Sequence, residues 1–330
     1  MNETPLFVGL DVGGTTMKAG VVDDNGKPLS TPATLPTEAG KGQEHGLGVM
    51  AETIRQAAMA AHVSMDEIAA IGVATPGSMD IAAGLILDPP NLKPWRNVPV
   101  RQFIADTFGL PTAFQNDANA AALGEFWVGA GKEYRSMVLF TLGTGIGGGI
   151  VIGDQILEGE HSHGGELGHI KIEMTRPRLC GCGKRGCLEA YASATAIVQR
   201  THEALNADDG RSSLHAVVRA TGELTAKDVF QAAAAGDALA AAIVDDTAKY
   251  LAIGAANLMH VIDPQVIAFA GGMTAAGEPL LNAIRAKVHD YAFAVPATMC
   301  QIRYAQLGSD AGFIGAAGCG RLLWQKVKNR

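Results

Sequence analysis

LFVGLDVGGTTMKAGVVDDNG at residues 6–26 and MVLFTLGTGIGGGIVIGDQIL at residues 137–157 decide the fold when they are set side by side. Gly13 falls on Gly143, Met17 on Gly147, Val21 on Val151 and Asp24 on Asp154. In the first piece an apolar run, Leu6–Leu10, meets a glycine turn, resumes as Met17–Val22 and ends at the polar turn Asp24-Asn25-Gly26. Apolar runs of this length bounded by turn residues read as buried strands of a hairpin. A single match of this kind carries little weight. A whole hairpin repeated with one spacing reads as the internal duplication of a three-stranded αβ unit.

Outward from the first hairpin, a third extended segment covers Leu29–Leu35. A helix covers about Gly48–Ala61, where Met50, Ile54, Ala58 and Ala61 recur at helical spacing. Ile68–Ala74 reads as a buried strand, Val100–Phe108 as a short helix and Thr112–Gln115 as a strand. The strand leads into NDANAAALGEF, an Ala-rich helix that Asn116 or Asp117 could cap. Beyond the second hairpin the pattern predicts helices around Ala194–Leu205, Ala226–Ala235 and Ala238–Met259. A strand Val266–Ala270 then runs into Gly271-Gly272, followed by a helix Pro279–Tyr291, a strand Gln301–Ala305 and a last helix Ala311–Lys326. The fold class is therefore α/β, with two domains. Residues 1–118 plus about 311–330 make a small N-terminal αβ domain, and 119–310 a larger one, with the crossing near Asp117–Phe126.

Composition bounds the function. Hydrophobic residues at 48% and charged residues at 18% make a core-forming, globular chain. The net charge of −7, with no stripe of lysine or arginine, argues against nucleic acid as a partner. No apolar stretch reaches membrane-spanning length, and no basic region precedes the first apolar residues as in a secretory signal.

Three of the 5 cysteines lie close together in GELGHIKIEMTRPRLCGCGKRGCLE, residues 165–189. His169, Cys180, Cys182 and Cys187 follow the spacing H-x10-C-x-C-x4-C, bracketed by Glu166 and Glu189. Three thiolates and one imidazole form a closed four-coordinate zinc set, structural rather than catalytic. Buried core thiols and a redox group are the alternatives, but these cysteines sit among Gly, Lys and Arg. Cys300 and Cys319, in apolar surroundings, read as ordinary core residues. A thiol cluster suited to metal, with no disulfide framework, fits a reducing cytoplasm.

The two glycine turns carry the second chemical signal. In DVGGTTMK the strand delivers Asp11 into Gly13-Gly14-Thr15-Thr16 and then Lys18, so backbone N–H groups and hydroxyls can meet an anion. Asp11 could hold a magnesium ion, directly or through water. TLGTGIGGG, residues 141–149, repeats the arrangement. Neither is a Walker P-loop or a dinucleotide fingerprint. A plain hairpin turn explains one such loop, but a duplicated pair facing each other across a cleft points to a phosphate chain. Asp117, an acid at a strand end, is a candidate general base as well as a candidate cap. Gly271-Gly272, Pro76-Gly77 and Pro90-Asn91-Leu92 are turn residues that could also lie along the cleft.

The DVGGTTMK loop, the Asn116-Asp117 pair, TLGTGIGGG, the GELGH box and CGCGKRGCLE together resemble the ROK family of sugar kinases and repressors, in family order over nearly the whole chain. The resemblance implies two actin-like (ribonuclease H-like) αβ domains with an interdomain cleft, built on a duplicated βββαβα core. It implies ATP, Mg2+ and structural Zn2+, held by His169, Cys180, Cys182 and Cys187. Asp117 would accept the proton of the attacking sugar hydroxyl. Asp11, Gly13, Gly14, Thr15, Thr16 and Lys18, with Thr144 and Gly145, would surround the phosphates and metal, and Gly271 and Gly272 would approach the nucleotide. Asn91, Asn116, Asp117, Glu166, His169 and Glu189 would bind sugar hydroxyls. DPPNLKPWRNVPV is similar to the branch acting on glucose, which would be phosphorylated at its 6-hydroxyl. Kinases for fructose, N-acetylmannosamine or N-acetylglucosamine are the nearest alternatives. A sugar-responsive repressor is the alternative of another class. Its helix-turn-helix would precede the sugar domain, and here the first glycine loop already starts at Asp11. A homodimer or higher homo-oligomer is a family expectation.

Overall fold

A computed structural model describes residues 4–329. The strands, in chain order, are β1 (Leu6–Val12), β2 (Thr16–Val22), β3 (Ala33–Pro36), β4 (Ile68–Thr75), β5 (Met79–Asp80), β6 (Leu85–Ile86), β7 (Thr112–Asn116), β8 (Ser136–Leu142), β9 (Ile146–Ile152), β10 (Gln155–Ile156), β11 (Val266–Ala270) and β12 (Gln301–Tyr304). The helices are α1 (Gln43–Ala60), α2 (Val100–Phe108), α3 (Asp117–Val128), α4 (Glu189–Ala192), α5 (Ala194–Leu205), α6 (Leu214–Thr221), α7 (Ala226–Ala234), α8 (Ala238–Ile262), α9 (Glu278–Val288), α10 (Ala294–Met299) and α11 (Ala311–Lys328).

The duplication is present in the backbone. One sheet has the order β3-β2-β1-β4-β7 and the other β10-β9-β8-β11-β12. The first hairpin and the second begin and end at the aligned positions, β1 with β8 and β2 with β9. In both sheets a meander of three strands is followed by two parallel strands entered through helices. This is the duplicated actin-like αβ core that the sequence predicts.

By contacts the chain forms two compact units. Among the described residues the first comprises 4–136, 149–165 and 306–329, and the second 137–148 and 166–305. Residues 119–136, 149–165 and 306–310 thus group with the first unit rather than with the larger domain expected for 119–310, the first of these segments because α3 packs along α11. The third extended segment is shorter than Leu29–Leu35, since the strand proper is Ala33–Pro36. Helix α1 starts earlier than Gly48, and α4, α6 and α10 are additional to the helices read from periodicity.

In the first unit, glycines let α11 lie against the sheet. A Cβ on Gly9 would meet the Phe313 carbonyl oxygen at 1.8 Å, and one on Gly72 the Ala316 carbonyl oxygen at 1.7 Å. The same holds between helices, where a Cβ on Gly315 would stand 1.7 Å from the Ala120 carbonyl oxygen. The opposite face of the sheet packs on α1 and α2 through Met50, Ile54, Ile104 and the buried Trp95.

Glu125 on α3 is fully buried, with its carboxylate turned to the backbone just ahead of α11. It accepts from the N–H groups of Ala130 (2.9 Å), Gln306 (2.9 Å) and Leu307 (2.6 Å). Three N–H donors thus satisfy one charge. Glu125→Ala strands them without an acceptor, which costs about 3 kcal/mol or more. The expected result is a lowered urea midpoint with an unchanged m-value.

Candidate active site

The residues singled out in the sequence fall into two groups, one in each unit. In the first unit, Asp11 and Lys18 are cross-strand partners in the β1–β2 hairpin, and the Gly13 N–H closes the turn on the Thr16 carbonyl at 2.8 Å. Thr37 fastens the loop from outside, its hydroxyl donating to the Gly13 carbonyl at 2.7 Å and its N–H to the Thr15 carbonyl at 2.8 Å. Gly14, Thr15 and Thr16 are exposed. The 89–92 turn lies directly beside them, since a Cβ on Gly14 would be 3.2 Å from the Asn91 carbonyl oxygen.

Two neighbours of this loop left no mark in the sequence. Lys18 forms an ion pair with Asp310 and donates to the Ser309 carbonyl at 3.1 Å. Gly312, at the start of α11, stands so close to Asp11 that a Cβ there would be 2.1 Å from the Asp11 carboxylate. Both lie about 300 positions along the chain from the loop they serve. Only the return of α11 to the first sheet brings them there.

Either Asn116 or Asp117 could have capped α3. Asn116 is the cap, its side-chain oxygen accepting from the N–H groups of Ala118 (3.0 Å) and Asn119 (3.2 Å). Asp117 is the first residue of α3 and accepts from the Ala118 N–H at 2.8 Å. A carboxylate there is favoured by the helix dipole. Its charge is felt by Asp11, whose carboxyl is raised from 3.8 to about 7, first by burial and then by Asp117, against the opposing pull of Lys18.

In the second unit, the turn Gly143–Gly145 is closed by the Gly143 N–H on the Gly145 carbonyl at 3.0 Å. β8 and β11 run parallel, with Thr141 opposite Ala270, so Gly271-Gly272 emerges next to this turn. Gly271 has φ +94, and a Cβ on it would be 2.4 Å from the Leu142 carbonyl oxygen, so only glycine passes there. Glu166 and His169 share the single turn Leu167–His169 and its cap, with Glu166 exposed and His169 half-buried.

His169, Cys180, Cys182 and Cys187 come together, each offering a ligand atom within 4.8 Å of all the others. The Cys182 and Cys187 sulfurs are 3.8 Å apart, as are the Cys180 sulfur and the His169 Nδ1. A tetrahedral zinc ion with Zn–S bonds of about 2.3 Å holds its sulfurs about 3.8 Å apart, so the set has the right size and chemistry. Nδ1 faces the thiols, which leaves Nε2 on the other side of the ring. Glu189 does more than the sequence indicated. Its Oε2 accepts from the Ile146 N–H at 2.9 Å, and its Oε1 lies 3.3 Å from the Cys180 sulfur. Cys300 and Cys319 are buried core thiols, each raised to about 12 by burial.

The ROK family model matches residues 7–322 of this chain. The glucokinase of Halalkalibacterium halodurans is 39% identical over 94% of this chain and 93% of its own length. Among solved structures, the ROK hexokinase from Thermus thermophilus superposes with a TM-score of 0.83 at 34% identity, covering 98% of this chain and 100% of its own. A ROK family glucokinase from Streptomyces griseus, solved in complex with glucose and AMPPNP, superposes with a TM-score of 0.77 at 32% identity, covering 96% and 99%.

The Asp11 shift makes a testable statement about stability. In the unfolded chain Asp11 ionises near its ordinary 3.8, and in the fold it keeps its proton to about 7. Between those values the folded state binds more protons, so this contribution to stability falls as pH rises through the window. Urea midpoints at about pH 5 and about pH 8 should show the wild type losing more stability across that interval than Asp11→Asn. The same pH dependence in both proteins would contradict the assignment.

Proposed function

The chain belongs to the ROK family, and from that premise we infer that it is an ATP-dependent sugar kinase that phosphorylates glucose. The observation that carries this reading is identity of 37–39% with glucokinases over 94% of the chain. The Streptomyces griseus relative, with glucose and AMPPNP bound, supports both substrates. The acceptor is the 6-hydroxyl of glucose, the product glucose 6-phosphate, and the compartment the cytoplasm. Among the described residues no helix is long and apolar enough to cross a membrane.

Asp117 is the general base. It stands at the head of α3, where Asn116 supplies the cap and one Asp117 oxygen accepts from the Ala118 N–H at 2.8 Å. It takes the proton of the sugar hydroxyl as that oxygen attacks the γ-phosphorus of ATP. The bond from the γ-phosphorus to the bridging oxygen breaks, and ADP leaves with that electron pair. Asn116, through its side-chain amide donors, and Asn91, beside the first glycine loop, orient the sugar in the first unit. Glu166, the His169 Nε2 and the unused lone pairs of Glu189 bind further hydroxyls in the second.

The exposed residues Gly14–Thr16, on the turn that Gly13 closes, bind phosphate oxygens together with Lys18. Thr144, Gly145 and the Gly271-Gly272 turn serve the nucleotide in the second unit. Asp11, a hard oxygen donor on the strand that enters the first glycine loop, suits Mg2+, which would neutralise phosphate charge there. His169, Cys180, Cys182 and Cys187 hold Zn2+ as a structural ion, which fixes the tautomer and direction of His169.

A coupled ADP-release assay across glucose, fructose, mannose, N-acetylmannosamine and N-acetylglucosamine tests the reading. Glucose is expected to give the highest kcat/KM, and a higher value for any other sugar reassigns the substrate. Asp117→Asn is expected to lower kcat about 10²–10⁴-fold while glucose binding, read by calorimetry, stays close to wild type. Turnover near wild type would remove Asp117 from the role of base. Cys182→Ser should lose bound zinc and glucose affinity together, and unchanged glucose affinity in the zinc-free variant would separate the ion from the sugar site.

A further inference from the structure

The second glycine loop is held on both flanks by the segments that carry the metal ligands. On one side, the turn that ends in His169 presses on the loop's exit, where a Cβ on Gly168 would be 2.0 Å from the Ile146 carbonyl oxygen. On the other side, the chain leaving Cys187 returns three hydrogen bonds within seven residues. Glu189 accepts from the Ile146 N–H at 2.9 Å, the Ala194 N–H donates to the Gly143 carbonyl at 2.9 Å, and the Thr195 hydroxyl donates to the Thr144 carbonyl at 2.8 Å. Of the three, the Glu189 bond is charge-assisted. Glu189 also lies two positions beyond Cys187 and 3.3 Å from the Cys180 sulfur, in direct contact with the metal cluster.

We propose that Glu189 is a positioning residue through which the metal centre of one histidine and three cysteines sets the conformation of the 143–146 loop, and with it the affinity for the nucleotide. The proposal rests on the reading of this loop as a phosphate-side element. Glycine at 143 and 145, on either side of the exposed Thr144, leaves the turn ahead of Ile146 little side-chain packing to brace it, so its shape depends on what its backbone groups bind. Ile146 is the pivot, since its carbonyl packs on the turn before His169 and its N–H ends on the carboxylate after Cys187. Four ligands on one ion hold those two segments at a fixed separation. A change at the metal is therefore transmitted to a loop that contributes none of the four ligands.

The test is a cycle of metal removal and Glu189 substitution. AMPPNP affinity is read by calorimetry without sugar, on wild type, Glu189→Gln and Glu189→Ala. Each is measured as purified with its metal, and after chelation with the released zinc counted. A charge-assisted hydrogen bond predicts about tenfold weaker AMPPNP binding for zinc-loaded Glu189→Ala, with Glu189→Gln in between. Chelation should weaken the wild type by a similar factor and Glu189→Ala by much less, since the route is already broken. Equal losses in both proteins, or wild-type affinity in zinc-loaded Glu189→Ala, overturn the proposal. If chelated protein unfolds, the zinc-loaded variants still decide the matter, through hydrogen exchange at residues 143–149. Faster exchange there in Glu189→Ala is expected, and unchanged exchange overturns the proposal. Faster exchange in a protein whose wild type binds no AMPPNP would instead refute the nucleotide reading of the loop and leave Glu189's positioning role in place.

Discussion

The first unit depends on the close approach of its last helix to its first strand. α11 reaches the sheet backbone because Gly9 and Gly72 present no side chains to it, and it reaches α3 because Gly315 and Gly124 present none either. The contact is backbone against backbone, so a single methyl group would have to displace a carbonyl. Overpacking of this kind is not relieved by rotating a side chain. The chemistry of the first unit follows from it. The start of α11 is carried to the β1–β2 turn, which gives Lys18 its partner Asp310 and walls the Asp11 carboxyl with Gly312. Glu125, buried on α3, secures the same junction by collecting the N–H groups of Gln306 and Leu307.

The duplication places the same hairpin in two settings with different supports. The first glycine loop is braced from outside by Thr37 and faces residues that α11 brings back. The second is braced by the segments around the metal ligands and lies beside Gly271. One ancestral turn thus acquired two modes of rigidity. Phosphoryl transfer rewards that outcome, because it depends on positioning and charge stabilisation more than on covalent chemistry.

Much of the site was legible beforehand, and for identifiable reasons. The cluster of His169, Cys180, Cys182 and Cys187, which the fold brings together, was visible by residue type and spacing, which local chain geometry constrains. Asn116-Asp117 was visible as a strand end meeting a helix start, but which residue caps the helix was not. Either side chain can accept from the N2 and N3 N–H groups, and the choice turns on the backbone angles of one residue. The apolar spacing that begins at Met50 places the start of helix α1 near Gly48. It in fact begins at Gln43, and Gly46 lies inside it, where a Cβ would collide with the Trp95 ring at 1.9 Å. Tertiary packing outweighs propensity at that position.

By itself the sequence determined the αβ class, the repeated hairpin, the two glycine loops, the base at Asp117 as a candidate, and the cluster of one histidine and three cysteines as a candidate metal set. These are short-range properties, set by periodicity, turn chemistry and ligand spacing over a few residues. The tertiary structure alone decided that Asp310 and Gly312 attend Asp11 and Lys18, that Glu125 locks the approach to α11, and that Glu189 belongs to the second glycine loop as much as to the metal segment. Those contacts join residues separated by between 43 and about 300 positions. No local preference encodes such a meeting. It arises when the sheets, the close-packed glycines and the metal ligands have fixed where each segment must pass.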